Sequence, residues 1–142
     1  MAQPSKHRIV ETLLEVHGRT YASEAGIRLE RNTPAPLFQL LCLSLLLSAR
    51  ISADVAVSAC HALLDAGWTT PDKLAGSTWS DRTRVLNRSG YARYDESTAR
   101  MLGQTVDILQ RRYDGDLRRL RDAADRDPVE ERWRLQEFTG IG

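Results

Sequence analysis

The chain has 142 residues, with a hydrophobic content of 42% and a charged content of 27%. These are the values of one ordinary globular domain over residues 1–142, and they argue against an intrinsically disordered chain. The formal net charge of +1 excludes a strongly basic nucleic-acid-binding tail but leaves room for a local basic patch.

The basic residues comprise 18 Arg and two Lys, Lys6 and Lys73, a bias that a GC-rich coding sequence explains. Two cysteines, Cys42 and Cys60, lie in apolar stretches without a C-x-x-C pair. A structural zinc site or an iron–sulfur cluster takes about four ligands, so both thiols are read as small buried hydrophobes. No metal and no cofactor is expected. The N-terminus lacks the apolar core of a signal peptide. The most apolar run, Leu37 to Ala49, is shorter than the roughly 20 residues that span a bilayer. A cytoplasmic protein with no membrane partner is the expectation.

In chain order, the first expected helix covers about Lys6 to His17, with Ile9, Leu13 and Val16 on one face and Gly18 at its end. Arg19 to Thr33 reads as loop with at most one helical turn. The second helix, PLFQLLCLSLLLSA, opens at Pro36 and is apolar almost all round, the pattern of a central buried helix. A third starts near Ser52 and reaches Asp65, with Ala56, Cys60, Leu63 and Leu64 as its buried stripe.

Thr70-Pro71 starts a short helix. Thr78, with Asp81 three residues on, starts another through Leu86, with Trp79 and Val85 expected in the core. Asn87-Arg88-Ser89-Gly90 is a turn. Asp95 caps the clearest helix, in which Ala99, Leu102, Val106, Leu109 and Tyr113 form a continuous stripe. Asp114-Gly115-Asp116 breaks it. Leu117 to Asp127 reads as a solvated loop or short helix. Asp127-Pro128 opens the last helix, with Trp133, Leu135 and Phe138 expected on its core face. No strand-like alternation and no repeat is present. The fold class is all-α, a bundle of about six to seven helices.

The ending Phe138-Thr139-Gly140-Ile141-Gly142 runs a helix into G-x-G. Glycine lets a backbone turn tightly. The N–H groups of such a turn can converge on an anion, a DNA phosphate for example, without reading sequence. Read alone, the same motif is also a plain glycine helix cap. Arg82 to Arg100 holds five Arg against two acids, Asp95 and Glu96, which suits phosphate contacts and equally a solvated face.

Taken in order, the motifs resemble the endonuclease III family of DNA glycosylases, which carry a helix-hairpin-helix. The family's buried helix ends in L-L-S-A-Q; here stands Leu46-Leu47-Ser48-Ala49-Arg50. A threonine-proline start (Thr70-Pro71), a glycine followed by a bulky residue (Gly90-Tyr91), an aromatic-x-G turn (Tyr113-Asp114-Gly115) and the hairpin (Thr139-Gly140-Ile141-Gly142) follow. The resemblance covers roughly three quarters of the chain, Pro34 to Gly142.

It implies base-excision chemistry on double-stranded DNA, in which a base is flipped from the stack. By motif position it makes Arg50 and Tyr91 the residues that enter the vacated stack. Arg88, Arg93 and the backbone of Thr139, Gly140, Ile141 and Gly142 become phosphate contacts. Arg50 is alternatively a charge capping the buried helix, and Tyr91 a half-buried core aromatic. The family's catalytic Lys and Asp, and its cluster-binding cysteines, fall past the second hairpin glycine. No catalytic residue is therefore assigned in this chain, and it is expected to be the N-terminal part of a longer protein. A non-catalytic DNA-binding module and a helical interaction protein are the two other readings. His7, His17 and His61 form no ligand-spaced set.

Overall fold

The computed structural model describes residues 23–28 and 33–138. The expected Lys6–His17 helix and the Thr139–Gly142 hairpin lie outside the described residues. Within them the protein is all-α: residues 23–25 are helical, and seven further helices follow, α1 (Pro34–Leu47), α2 (Ala53–Asp65), α3 (Pro71–Ala75), α4 (Trp79–Arg88), α5 (Asp95–Tyr113), α6 (Leu117–Ala123) and α7 (Pro128–Leu135).

α1 is the central helix. Pro34 and Pro36 fall in its first turn, where a missing N–H leaves no helical bond unmade. It carries no charged residue, and it buries Pro36, Phe38, Leu41, Cys42, Leu43, Leu45 and Leu46 on more than one face. α2, α5 and α6 pack around it. The Gln39 amide donates to the Thr69 carbonyl at 3.0 Å, which fixes the α2–α3 connection against α1.

α5 supplies the second half of the core. Its expected stripe is buried in full, and Thr98 and Thr105 join it. Asp95 is the first residue of α5; the position before it is Tyr94, whose side chain makes no cap. The Asp95 carboxylate instead accepts from the Glu96 N–H at 2.7 Å. At the far end Asp114 adopts a left-handed conformation, φ 54°. The Gly115 N–H, on a backbone at φ 78°, returns to the Leu109 carbonyl at 3.1 Å. This is the helix-ending turn that Asp-Gly favours.

α4 lies along α5, and Arg82 joins them. Only 8% of Arg82 is exposed. Its Nε donates to the Ala99 carbonyl at 2.9 Å, and its Nη1 to the Ser77 carbonyl and hydroxyl, each at 3.0 Å. Gly103 makes this possible: a Cβ there would lie 2.7 Å from Arg82 Nη2. Burial pulls the Arg82 guanidinium below its ordinary pKa, and two carbonyls and a hydroxyl, not a hydrogen-bonded carboxylate, hold it.

Four expectations about the core are corrected. Trp79 is 40% exposed and Trp133 is 67% exposed. Trp79 begins α4, at the rim of its contact with α5, and Trp133 faces away on α7, a helix that buries no residue. Leu135 packs against the core only in part, and Leu64 likewise. Phe138, just past α7, is fully buried with its ring centroid 6.3 Å from that of Tyr113.

Candidate functional site

Two interhelical turns meet at one end of the bundle. The first joins α1 to α2 through Ser48–Ser52. The Ser48 hydroxyl donates to the Leu45 carbonyl at 2.6 Å, and the Ile51 N–H to the Ala49 carbonyl at 2.8 Å. Ser52 caps α2, its hydroxyl accepting from Val55 N–H at 3.3 Å. Ala49 and Ile51 pack partly against the core. Arg50, between them, is exposed. The tight turn thus points inward with its apolar members and outward with its charge.

The second turn joins α4 to α5. The Ser89 hydroxyl donates to the Leu86 carbonyl at 2.8 Å. Gly90 takes φ 95°, a conformation that side chains disfavour. The Tyr91 N–H then closes on the Leu86 carbonyl at 3.0 Å. A Cβ on Gly90 would lie 3.9 Å from Val55 Cγ1, so this turn abuts α2. Arg88 and Arg93 are exposed on either side. The Arg93 guanidinium lies over the Tyr94 ring at 5.4 Å from its centroid, within cation–π range.

Tyr91 does not face solvent. Its exposure is 0%, and its hydroxyl donates to the Leu46 carbonyl at 2.8 Å. Leu46 is in the last turn of α1, where carbonyls lack helical partners. Burial pushes the Tyr91 phenol up from its ordinary pKa, against the smaller opposing effect of Thr98. The wedge expected at Tyr91 is therefore corrected to a core aromatic. A ring that enters a base stack has to be accessible, and this one is sealed beneath the turn. Its role is to bind the second turn to the first.

Among the described residues, none of Arg50, Arg88 and Arg93 forms an ion pair. The paired arginines, Arg84, Arg111, Arg112, Arg118, Arg119, Arg121 and Arg134, lie elsewhere on α4 to α7. Arg82, counted in sequence among the surface charges, belongs to the core instead. Exposed acids, Asp54 and Glu96, flank the two turns, which keeps the patch local.

No nucleophile emerges from the buried thiols. Burial raises Cys42 well above its ordinary pKa, and Cys60 is pushed up to about 12, the direction opposite to thiolate activation. Both are free and buried, as expected from their apolar surroundings. Among the described residues no three His, Cys, Asp or Glu side chains are grouped to hold a metal ion. No helix there is long and apolar enough to cross a membrane.

A surface feature missed by sequence reasoning lies beside the second turn. The outer side of α4 and the start of α5 form a shallow, open groove of about 370 Å³ lined by Trp79, Thr83, Arg84, Asn87, Arg88 and Asp95. The only signal in the sequence was the i,i+4 pairs Trp79–Thr83, Thr83–Asn87 and Arg84–Arg88 on the helix. Assigning Trp79 to the core concealed it.

Comparison of the chain with family models, with curated proteins and with solved structures returned no match.

Proposed function

We propose that the protein is a DNA-binding helical domain of the base-excision kind, similar in its motif order to the endonuclease III family. In this reading it grips duplex DNA by its phosphates at the end of the bundle where Arg50, Arg88 and Arg93 stand. The observation that carries it is the joining of two turns distant in sequence by the Tyr91–Leu46 hydrogen bond. That bond brings the turn carrying Arg50 beside the turn that Arg88 and Arg93 flank, which supports a shared phosphate contact. Backbone N–H groups of Thr139 to Gly142 would add a further phosphate contact. Such contacts fix the position of a duplex without reading its sequence. Base release itself would require the lysine or aspartate that the family carries past the second hairpin glycine.

The test is the affinity for a blunt duplex of about 20 base pairs as a function of salt. Each phosphate-binding Arg contributes about 0.9 to the slope of log affinity against log salt. Arg50→Ala, Arg88→Ala and Arg93→Ala are each expected to weaken binding alike for unrelated sequences and to lower the slope by roughly one. Absence of duplex binding at about 50 mM salt, or three variants that bind as the parent does, would overturn the reading.

A further inference from the structure

We infer that the groove between α4 and the start of α5 is a nucleotide subsite, which takes one unstacked base on the Trp79 indole and an adjoining phosphate on Arg84 and Arg88. The inference rests on the nucleic-acid reading of the neighbouring turns.

Trp79 is held in place before any ligand arrives. Thr78 caps α4, its hydroxyl accepting from the Asp81 N–H at 3.0 Å. The indole Nε1 donates to the Glu96 carbonyl at 3.0 Å. The ring is thereby pinned at its nitrogen edge to the first turn of α5, and with 40% of the residue exposed it still presents surface to the groove. An ordered aromatic loses little conformational freedom on binding, and every base offers a π-face to it.

Further along α4, Thr83, Arg84, Asn87 and Arg88 also line the groove. The helix rises about 1.5 Å per residue. Arg84 and Arg88 therefore stand roughly 7.5 and 13.5 Å along the axis from Trp79, within the reach of a nucleotide and its flanking phosphates. Arg84 is only loosely paired, with Asp81 at 3.7 Å. Arg88 has no ion-pair partner among the described residues. The far wall is polar and ordered: Asn87 Nδ2 donates to Asp95 Oδ2 at 3.0 Å. With its amide nitrogen committed, Asn87 offers its oxygen to a base edge. The combination of a fixed indole, two guanidiniums and a polar wall suits a nucleotide better than an apolar ligand. It also suits an unpaired nucleotide better than a paired one, because a base inside a duplex hides both faces.

The experiment compares three fluorescein-labelled probes of the same sequence: a blunt duplex, a duplex with a short single-stranded extension, and the single strand alone. Stacking one base on an aromatic ring corresponds to about tenfold or more in affinity. The extended duplex is expected to bind about tenfold tighter than the blunt one. Trp79→Ala should abolish that difference, and Trp79→Phe, which keeps a ring but loses the Glu96 bond, should retain most of it. Equal affinity for blunt and extended duplexes, or a difference that survives Trp79→Ala in a folded variant, overturns the subsite and leaves the duplex reading standing. Single-strand binding that depends on Trp79, without binding of the blunt duplex, supports the subsite and overturns the duplex reading instead.

Discussion

At the scale of single residues, Tyr91 separates two roles that the sequence could not distinguish. A bulky residue after a turn glycine can stand out as a wedge or fold back beneath the turn. Which occurs depends on whether a buried acceptor awaits its hydroxyl, and the acceptor here is the backbone of Leu46, 45 positions away. No local pattern encodes that partner. Tyr91→Phe leaves the ring but strands the Leu46 carbonyl, which costs about 1–3 kcal/mol. Urea denaturation is expected to register that loss. Duplex affinity measured well below the unfolding transition should stay unchanged, whereas a wedge residue would lose affinity with little change in stability. Arg50 was legible as an exposed charge because small and apolar neighbours bracket it. Arg82 was not, since two of its three acceptors are carbonyls, which leave no trace in side-chain sequence.

At the scale of helices, legibility followed the regularity of the apolar stripe. α5 was read correctly because five core positions repeat at helical spacing, and α1 because nothing charged interrupts it. α4 and α7 were misread where one tryptophan was given to the core on chemistry alone. In both helices the large ring lies at an edge, and smaller or later residues, Leu86 and Phe138, fill the interior. The α4–α5 contact makes a prediction whose sign reverses with context. Gly103→Ala ordinarily stabilises a helix interior by about 1 kcal/mol. Here the added methyl displaces the Arg82 guanidinium from three hydrogen bonds, and the net expectation is a loss of about 1–2 kcal/mol. In an Arg82→Ala background the clash disappears, and Gly103→Ala should become stabilising. A double-mutant cycle by chemical denaturation checks it; the same sign in both backgrounds would mean that Arg82 does not clamp the pair.

At the scale of the whole molecule, the core contains two thiols whose titration is coupled to folding. Cys60 is raised from an ordinary value near 9 to about 12, and Cys42 moves in the same direction. Between those limits the unfolded chain gives up its thiol protons and the folded chain keeps them. Stability is therefore fully present below about pH 9 and falls as pH rises toward 12, by about 1.4 kcal/mol per pH unit for each thiol. Cys60→Ala should flatten that fall by one thiol's share when denaturant midpoints are compared from pH 8.5 to 10.5, whatever its effect on absolute stability. An unchanged slope would place the Cys60 thiol in solvent. The site was legible at this scale only in part. The order of motifs brought out Arg50 and the second turn. The groove on α4 arises from a helix face and a neighbouring helix start, and that juxtaposition exists only once α4 and α5 are packed.

The hydrogen bond from Tyr91 to Leu46 also governs motion. The α4–α5 turn cannot lift from the end of α1 without exposing a large ring and leaving a carbonyl unpaired. Opening there costs more than opening of α7, which buries no residue and can open locally. The backbones of the two turns then keep their relative placement while the arginine side chains they carry remain free to reorient. If the proposed duplex binding holds, the DNA would meet two turns whose backbones are already assembled.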